Sequence, residues 1–134
     1  FPLFGADLPN DIVIININPL ERSDVPRSPQ EIQNRINEIS FNTSLFRELR
    51  AIRFVQRLLD EGVIPEGAMK HPHIHMIADD VLMRELSVST KMSPNAYLLS
   101  RLKEAGRVAA DGFLAAHWDD LGQRGSTDLE AMFG

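Results

Sequence analysis

Asp11-Ile12-Val13-Ile14-Ile15-Asn16-Ile17-Asn18 is the stretch on which the fold class turns. It is almost continuously β-branched, the pattern of a strand covered on both faces in a parallel sheet flanked by helices, since an edge strand would alternate apolar with polar. It stops at Asn18-Pro19. Leu20 to Arg27, with its charges and Pro26, then reads as a loop at the carboxyl end of the strand, where open α/β sheets commonly place a functional cleft.

Downstream, Ser28-Pro29-Gln30-Glu31 is a complete helix start, with Ser28 as cap, Pro29 first in the helix and Glu31 closing a capping box. Ile32, Ile36 and Ile39, then Leu45, Leu49, Ile52, Val55 and Leu59, recur at helical spacing and predict one buried face. Ser40, Asn42, Thr43 and Ser44 are weak helix formers, so a kink or break is expected there, and Gly62 closes the helix. His73-Ile74-His75-Met76-Ile77 alternates as a second strand, followed by Asp79-Asp80 and a short helical piece through Leu86. Ser93-Pro94 repeats the cap-plus-proline start. Leu98, Leu102, Ala105, Ala109, Gly112 and Ala116 then make a stripe of mostly small residues that ends before Gly122. Thr127-Asp128-Leu129-Glu130 is a second capping box, opening a last short helix.

The 134 residues, 43% hydrophobic and 25% charged, suit one soluble globular unit, and neither a repeat nor a linker divides them. Two strands are nevertheless few for a self-sufficient three-layer domain, whose sheet has about 4–6. Fourteen basic residues against 19 acidic ones leave a formal charge of −5, which repels phosphate backbones and argues against nucleic acid as a partner. No cysteine is present, so disulfides and thiolate zinc sites are excluded, in keeping with a cytoplasmic location. No apolar run, Ile12 to Ile15 included, exceeds four residues, far short of the roughly 20 residues of a membrane span.

Candidate chemistry is sparse. His71, His73 and His75 alternate along the second strand and could share a metal, but no acidic or cysteine ligand is fixed by spacing beside them and Pro72 distorts the alternation. No metal ligand is assigned. His117-Trp118-Asp119-Asp120 supplies the residue types of a Ser-His-Asp arrangement, yet a triad is defined by spatial geometry, and these residues read as a solvated polar face closing the last turn of a helix. Glu38, Asn42, Arg47, Glu48 and Arg50 read as a structural polar network along the long helix, and Lys91, Arg101, Lys103 and Arg107 as surface charges. No Gly-x-Ser-x-Gly, Gly-x-Gly-x-x-Gly or phosphate loop occurs, so no catalytic or cofactor-binding residue is assigned and no cofactor is expected.

Three stretches together resemble the C-terminal half of bacterial patatin-like phospholipases. They are Asp11 to Arg27 with Ile17-Asn18-Pro19-Leu20-Glu21-Arg22; Arg35-Ile36-Asn37-Glu38-Ile39-Ser40-Phe41-Asn42 running into Leu49-Arg50-Ala51-Ile52; and Ser89-Thr90-Lys91, Gly106-Arg107 and Leu121-Gly122 with Ser126-Thr127-Asp128-Leu129. The resemblance implies a partial three-layer α/β fold, with few parallel strands and long flanking helices, from a lipid acyl hydrolase that uses a Ser-Asp dyad. Its serine, aspartate and glycine-rich oxyanion loop have no counterpart here, and Asp111-Gly112, inside a helix stripe, is not given the dyad role. The family's dyad aspartate lies shortly before the segment resembling Phe1-Pro2-Leu3-Phe4, so residues 1–134 read as a piece lacking the catalytic N-terminal part, cut naturally or by design. Such a piece is expected to wall the acyl-binding cleft, to be inert alone, and to self-associate through faces that lack their cover, the missing part or a second copy being the partner. The lipid or ester substrate would belong to the parent. The alternative is a non-enzymatic helical interaction or oligomerisation module, against which the apolar strand argues.

Overall fold

A computed structural model describes residues 2–5, 7–86, 90, 93 and 95–134. Two strands, β1 (Asp11–Asn16) and β2 (His73–Ala78), form a two-stranded parallel sheet. Between them runs α1 (Pro29–Asp60), and after β2 come α2 (Asp80–Glu85), α3 (Ala96–His117) and α4 (Leu129–Phe133). The mixed α/β class expected from the sequence is therefore present in its coarse form.

The chain divides into two compact units, the boundaries falling within β1, α1 and β2 and before the last residue of α3. The first comprises Phe1–Ile14, Leu45–Met76 and His117–Gly134. Its core is Leu49 and Ile52 of α1, Ile74 of β2 and Leu129 of α4, with Phe4, Ile12, Ile14, Leu45, Met76 and Phe133 packed around them. The second comprises Ile15–Ser44 and Ile77–Ala116, with Leu82 and Leu86 packed on Leu98, Leu102 and Ala105.

Local signals govern most element ends. The Ser28 hydroxyl accepts from the Glu31 N–H at 3.2 Å while the Glu31 carboxylate accepts from the N–H groups of Ser28 and Arg27, so the capping box forms as expected. At the other end Gly62 adopts a positive φ of 70°. The Val63 N–H reaches back to Leu58 O and the Gly62 N–H to Leu59 O, the paired bonds of a Schellman turn. Asp79 caps α2 by accepting from Leu82 N.

Several expectations are corrected. The helix does not break at Ser40 to Ser44; α1 is continuous, and the Thr43 hydroxyl is satisfied by donating to Ile39 O one turn back. In its first half the buried residues are Glu38 and Asn42, while Ile32, Ile36 and Ile39 are exposed, because the loop after β1 packs on the polar side. β1 is covered on one face only. Ile12 and Ile14 enter the core, while Val13, Ile15 and Ile17 stay exposed, Ile15 at 73%. The expected start at Ser93-Pro94 falls partly outside the described residues, since Pro94 is among those not described; Asn95 caps α3 instead, its side chain accepting from Leu98 N at 2.8 Å. Of the small-residue stripe of α3, Leu98, Leu102 and Ala105 pack with Leu82 and Leu86, whereas Gly112 and Ala116 are exposed and a Cβ on Gly112 would meet nothing within 4 Å. Asp128, one residue later than expected, caps α4 by accepting from Ala131 N.

Candidate functional site

The densest chemistry in the first unit lies where β1 and β2 begin side by side. Alternation along β2 turns His73 and His75 to one face, and parallel pairing brings Asp11, the first residue of β1, against both. His75 Nε2 stands 3.0 Å from Asp11 Oδ1, and His73 Nδ1 stands 3.4 Å from the same oxygen. Across the ring, His75 Nδ1 is 3.0 Å from Ser126 Oγ. With Asp11 ionised, Nε2–H donates to the carboxylate and leaves Nδ1 to accept from the Ser126 hydroxyl.

Asp11 is fixed further by the Gly122 N–H, at 3.0 Å from each of its oxygens. That backbone bond, opposed by burial and helped by His75 and then His73, holds the Asp11 carboxyl below its usual range. Gly125 passes so close to β2 that a Cβ there would lie 3.0 Å from both the N and the O of Ile74. Thr127 N–H donates to Ile74 O at 3.0 Å. The 122–127 loop is thereby stitched to the start of the sheet.

The serine, imidazole and carboxylate are connected in the order of an acyl-transfer relay. Two observations make it a structural tie instead. His75 has 0% of its surface exposed, so its imidazole has no opening through which to hand a proton to a leaving group. The N–H next to Ser126 in the chain, that of Thr127, is already spent on Ile74 O and cannot stabilise an oxyanion. Ser126 does line an open depression of about 360 Å³, together with Arg53, Gln56, His71, Ile74 and the 127–130 backbone turn. Arg53 there meets Glu130 at 3.4 Å, and Gln56 donates to Pro72 O.

The other residues singled out by sequence fall elsewhere. His71 lies before the strand and faces Asp60 at 3.3 Å rather than joining the other two histidines on one ligand. Among the described residues no group of three or more histidine, cysteine or acidic side chains is placed to hold a metal ion. His117 Nδ1 meets Asp120 Oδ2 at 2.8 Å and Arg124 meets Oδ1 at 2.6 Å, so Asp120 is an internal clasp rather than part of a solvated face. The His117 hydrogen bond is the main cause of its lowered pKa. Asp111 and Gly112 are inside α3, as the sequence indicated. Arg101 pairs with Glu85 and Arg107 with Glu104, both at the surface, while Lys91 is outside the described residues.

In the second unit the loop after β1 is held from below by α1. Arg22 clamps the 5%-exposed Glu38 with two bonds, of 2.8 and 2.6 Å, Arg35 adds a third at 3.3 Å, and Asn42, 2% exposed, donates to Pro19 O. Burial raises the Glu38 carboxyl, but Arg22 and then Arg35 outweigh it and hold the group below its usual range. The expected network along the helix is therefore a cross-link from helix to loop, which Arg47, Glu48 and Arg50 do not join; Arg50 sits over the Phe133 ring in the first unit. At the end of β2, burial raises the pKa of Asp80, with Arg84 opposing from 3.9 Å.

No family model, no curated protein and no solved structure matches this chain. No helix among the described residues is long and apolar enough to cross a membrane.

Proposed function

We propose that this chain is a scaffold part of a patatin-like lipid acyl hydrolase, walling the acyl-binding side of a cleft while the serine and aspartate of the dyad stand on a preceding segment. The observation that carries the reading is the bare outer face of β1. Val13 and Ile15 of β1, and Ile17 just after it, are each exposed, the condition of a parallel sheet short of a covering layer. Two further points support it: the resemblance over three stretches in family order, and the absence of a Gly-x-Ser-x-Gly string.

In this reading the clamp of Arg22 and Arg35 on Glu38 shapes the loop after β1, and the Asp11, His75 and Ser126 tie fixes the starts of the two strands. Neither group performs acyl transfer. The test is a fluorophosphonate probe with a short-chain nitrophenyl ester assay, applied to residues 1–134 and to a longer polypeptide containing them. A labelled serine and turnover in the longer polypeptide alone is the expected result. Labelling of Ser126 or any other serine within residues 1–134 would refute it.

The exposed row Ile32, Ile36 and Ile39 on α1 favours a second reading, a helical interaction module. A longer polypeptide with no reactive serine would select it.

A further inference from the structure

Arg53 is nearly enclosed in the first unit and yet poorly partnered. Its side chain is 15% exposed, and among the described residues its Nε, shut off from solvent, has no hydrogen-bond partner. Its ionic contact runs from Nη2 to Glu130 Oε2 at 3.4 Å, longer than the roughly 2.7–2.9 Å of a charge-assisted hydrogen bond. Glu130 is 78% exposed, so its carboxylate is hydrated and the contact is weak. A guanidinium carries five N–H donors in a fixed fork, and one taken this far out of water is stabilised by an anionic oxygen set squarely against it. The open depression that Arg53 lines, of about 360 Å³, is within the size range of small-molecule sites.

We propose that this depression is a binding site for a small organic monocarboxylate, whose carboxylate takes the place of Glu130 on Arg53. The site is independent of the hydrolase reading, since every residue it uses lies within the first unit. A free carboxylate can set both oxygens against two N–H groups of the fork, whereas Glu130, fixed to α4, brings one oxygen to 3.4 Å. Arg53 is the anchor. Ser126 Oγ, whose hydrogen goes to His75 Nδ1, offers an acceptor rather than a donor, and His71 faces Asp60 at 3.3 Å. The surrounding charges select one negative charge over two, because Asp128 and Glu130 both line the depression and a phosphate dianion would meet two carboxylates against one guanidinium. The volume leaves room beyond the carboxylate for an organic remainder.

The test titrates the isotope-labelled chain with sodium benzoate at neutral pH and constant ionic strength, following the Arg53 Nε–H signal and the amides of Ser126 to Glu130 by NMR, with inorganic phosphate as the comparison anion. The expected result is a saturable shift centred on these groups, weaker affinity for phosphate, loss of binding in Arg53→Met, and an apparent Kd about two- to fivefold lower in Glu130→Gln, whose amide no longer competes for the guanidinium. Glu130 is exposed, so its variant keeps the fold and decides the matter where Arg53→Met fails to fold. The absence of a saturable shift, a shift that survives Arg53→Met, an unchanged Kd in Glu130→Gln, or phosphate bound as tightly as benzoate each overturns the proposal, whatever a fluorophosphonate labels in a longer polypeptide.

Discussion

Replacing Arg22 by methionine strands the Glu38 carboxylate. Glu38 is 5% exposed and takes two bonds from Arg22, at 2.6 and 2.8 Å, whereas Arg35 reaches it by one bond at 3.3 Å. Breaking a buried pair from one side costs about 3–5 kcal/mol when nothing compensates the remaining charge. Arg35 compensates in part, which brings the expected loss to about 2–3 kcal/mol. Glu38→Met removes the buried charge itself and leaves two arginines that are each about a quarter exposed and can turn to water, so its cost is smaller, about 1–2 kcal/mol. The double variant Arg22→Met/Glu38→Met buries apolar groups in place of the pair and is expected to be at least ~1 kcal/mol more stable than Arg22→Met alone. Urea titration followed by far-UV circular dichroism reads these differences. At an m-value of about 2 kcal/mol/M, Arg22→Met should shift the midpoint by about 1–1.5 M. Because the Glu38 pKa is depressed, the stability it contributes is complete above the ordinary glutamate range and is lost as pH falls through the lowered value. The gap between wild type and Arg22→Met should therefore close in acid. An Arg22→Met variant within 0.5 kcal/mol (about a third of one tenfold step in the folding equilibrium) of wild type at neutral pH would refute the argument.

Asp80 follows the opposite sign. Its raised pKa means that ionisation works against folding, a cost incurred as pH rises through the folded-state value, so Asp80→Asn should equal or exceed wild type at pH 7, by no more than about 1 kcal/mol given its partial exposure. That advantage should vanish below the ordinary aspartate range, and a variant with a lower thermal midpoint at pH 7 would contradict the assignment. Gly125→Ala should destabilise by about 1–3 kcal/mol, since the new Cβ meets strand backbone at 3.0 Å, while Gly106→Ala, in open space on α3, should stabilise by up to about 1 kcal/mol. Equal melting temperatures for the two would show that Gly125 does not approach β2. Asp11→Asn should loosen the 122–127 loop, seen as faster amide exchange at Gly122, because one of the two oxygens that accept from Gly122 N–H becomes a donor NH2 and the charge that strengthens the remaining bond is lost. Unchanged exchange would remove Asp11 from that role.

Signals that act over a few residues were legible in the sequence. Ser28, Pro29 and Glu31 start α1 because a hydroxyl and a carboxylate three positions apart can satisfy each other's backbone N–H groups, and Gly62 ends it because a residue without Cβ takes the positive φ without strain. β1 and β2 announced themselves through branched and alternating side chains. Which of two competing neighbours caps a helix, Ser93 or Asn95, Thr127 or Asp128, is a choice of a residue or two that spacing alone leaves open.

The pairings that build the site needed the folded chain. Asp11 lies 64 positions from His75, and His75 lies 51 from Ser126, and nothing local in any of the three marks the others as partners. Parallel pairing of β1 with β2 brings the first two together, and the close passage of Gly125 over Ile74 delivers the third. Which side of α1 is buried was likewise decided by the loop carrying Arg22 and Pro19, not by helical period: hydrophobic spacing says which residues share a face, whereas the element that arrives against the helix determines which face is covered.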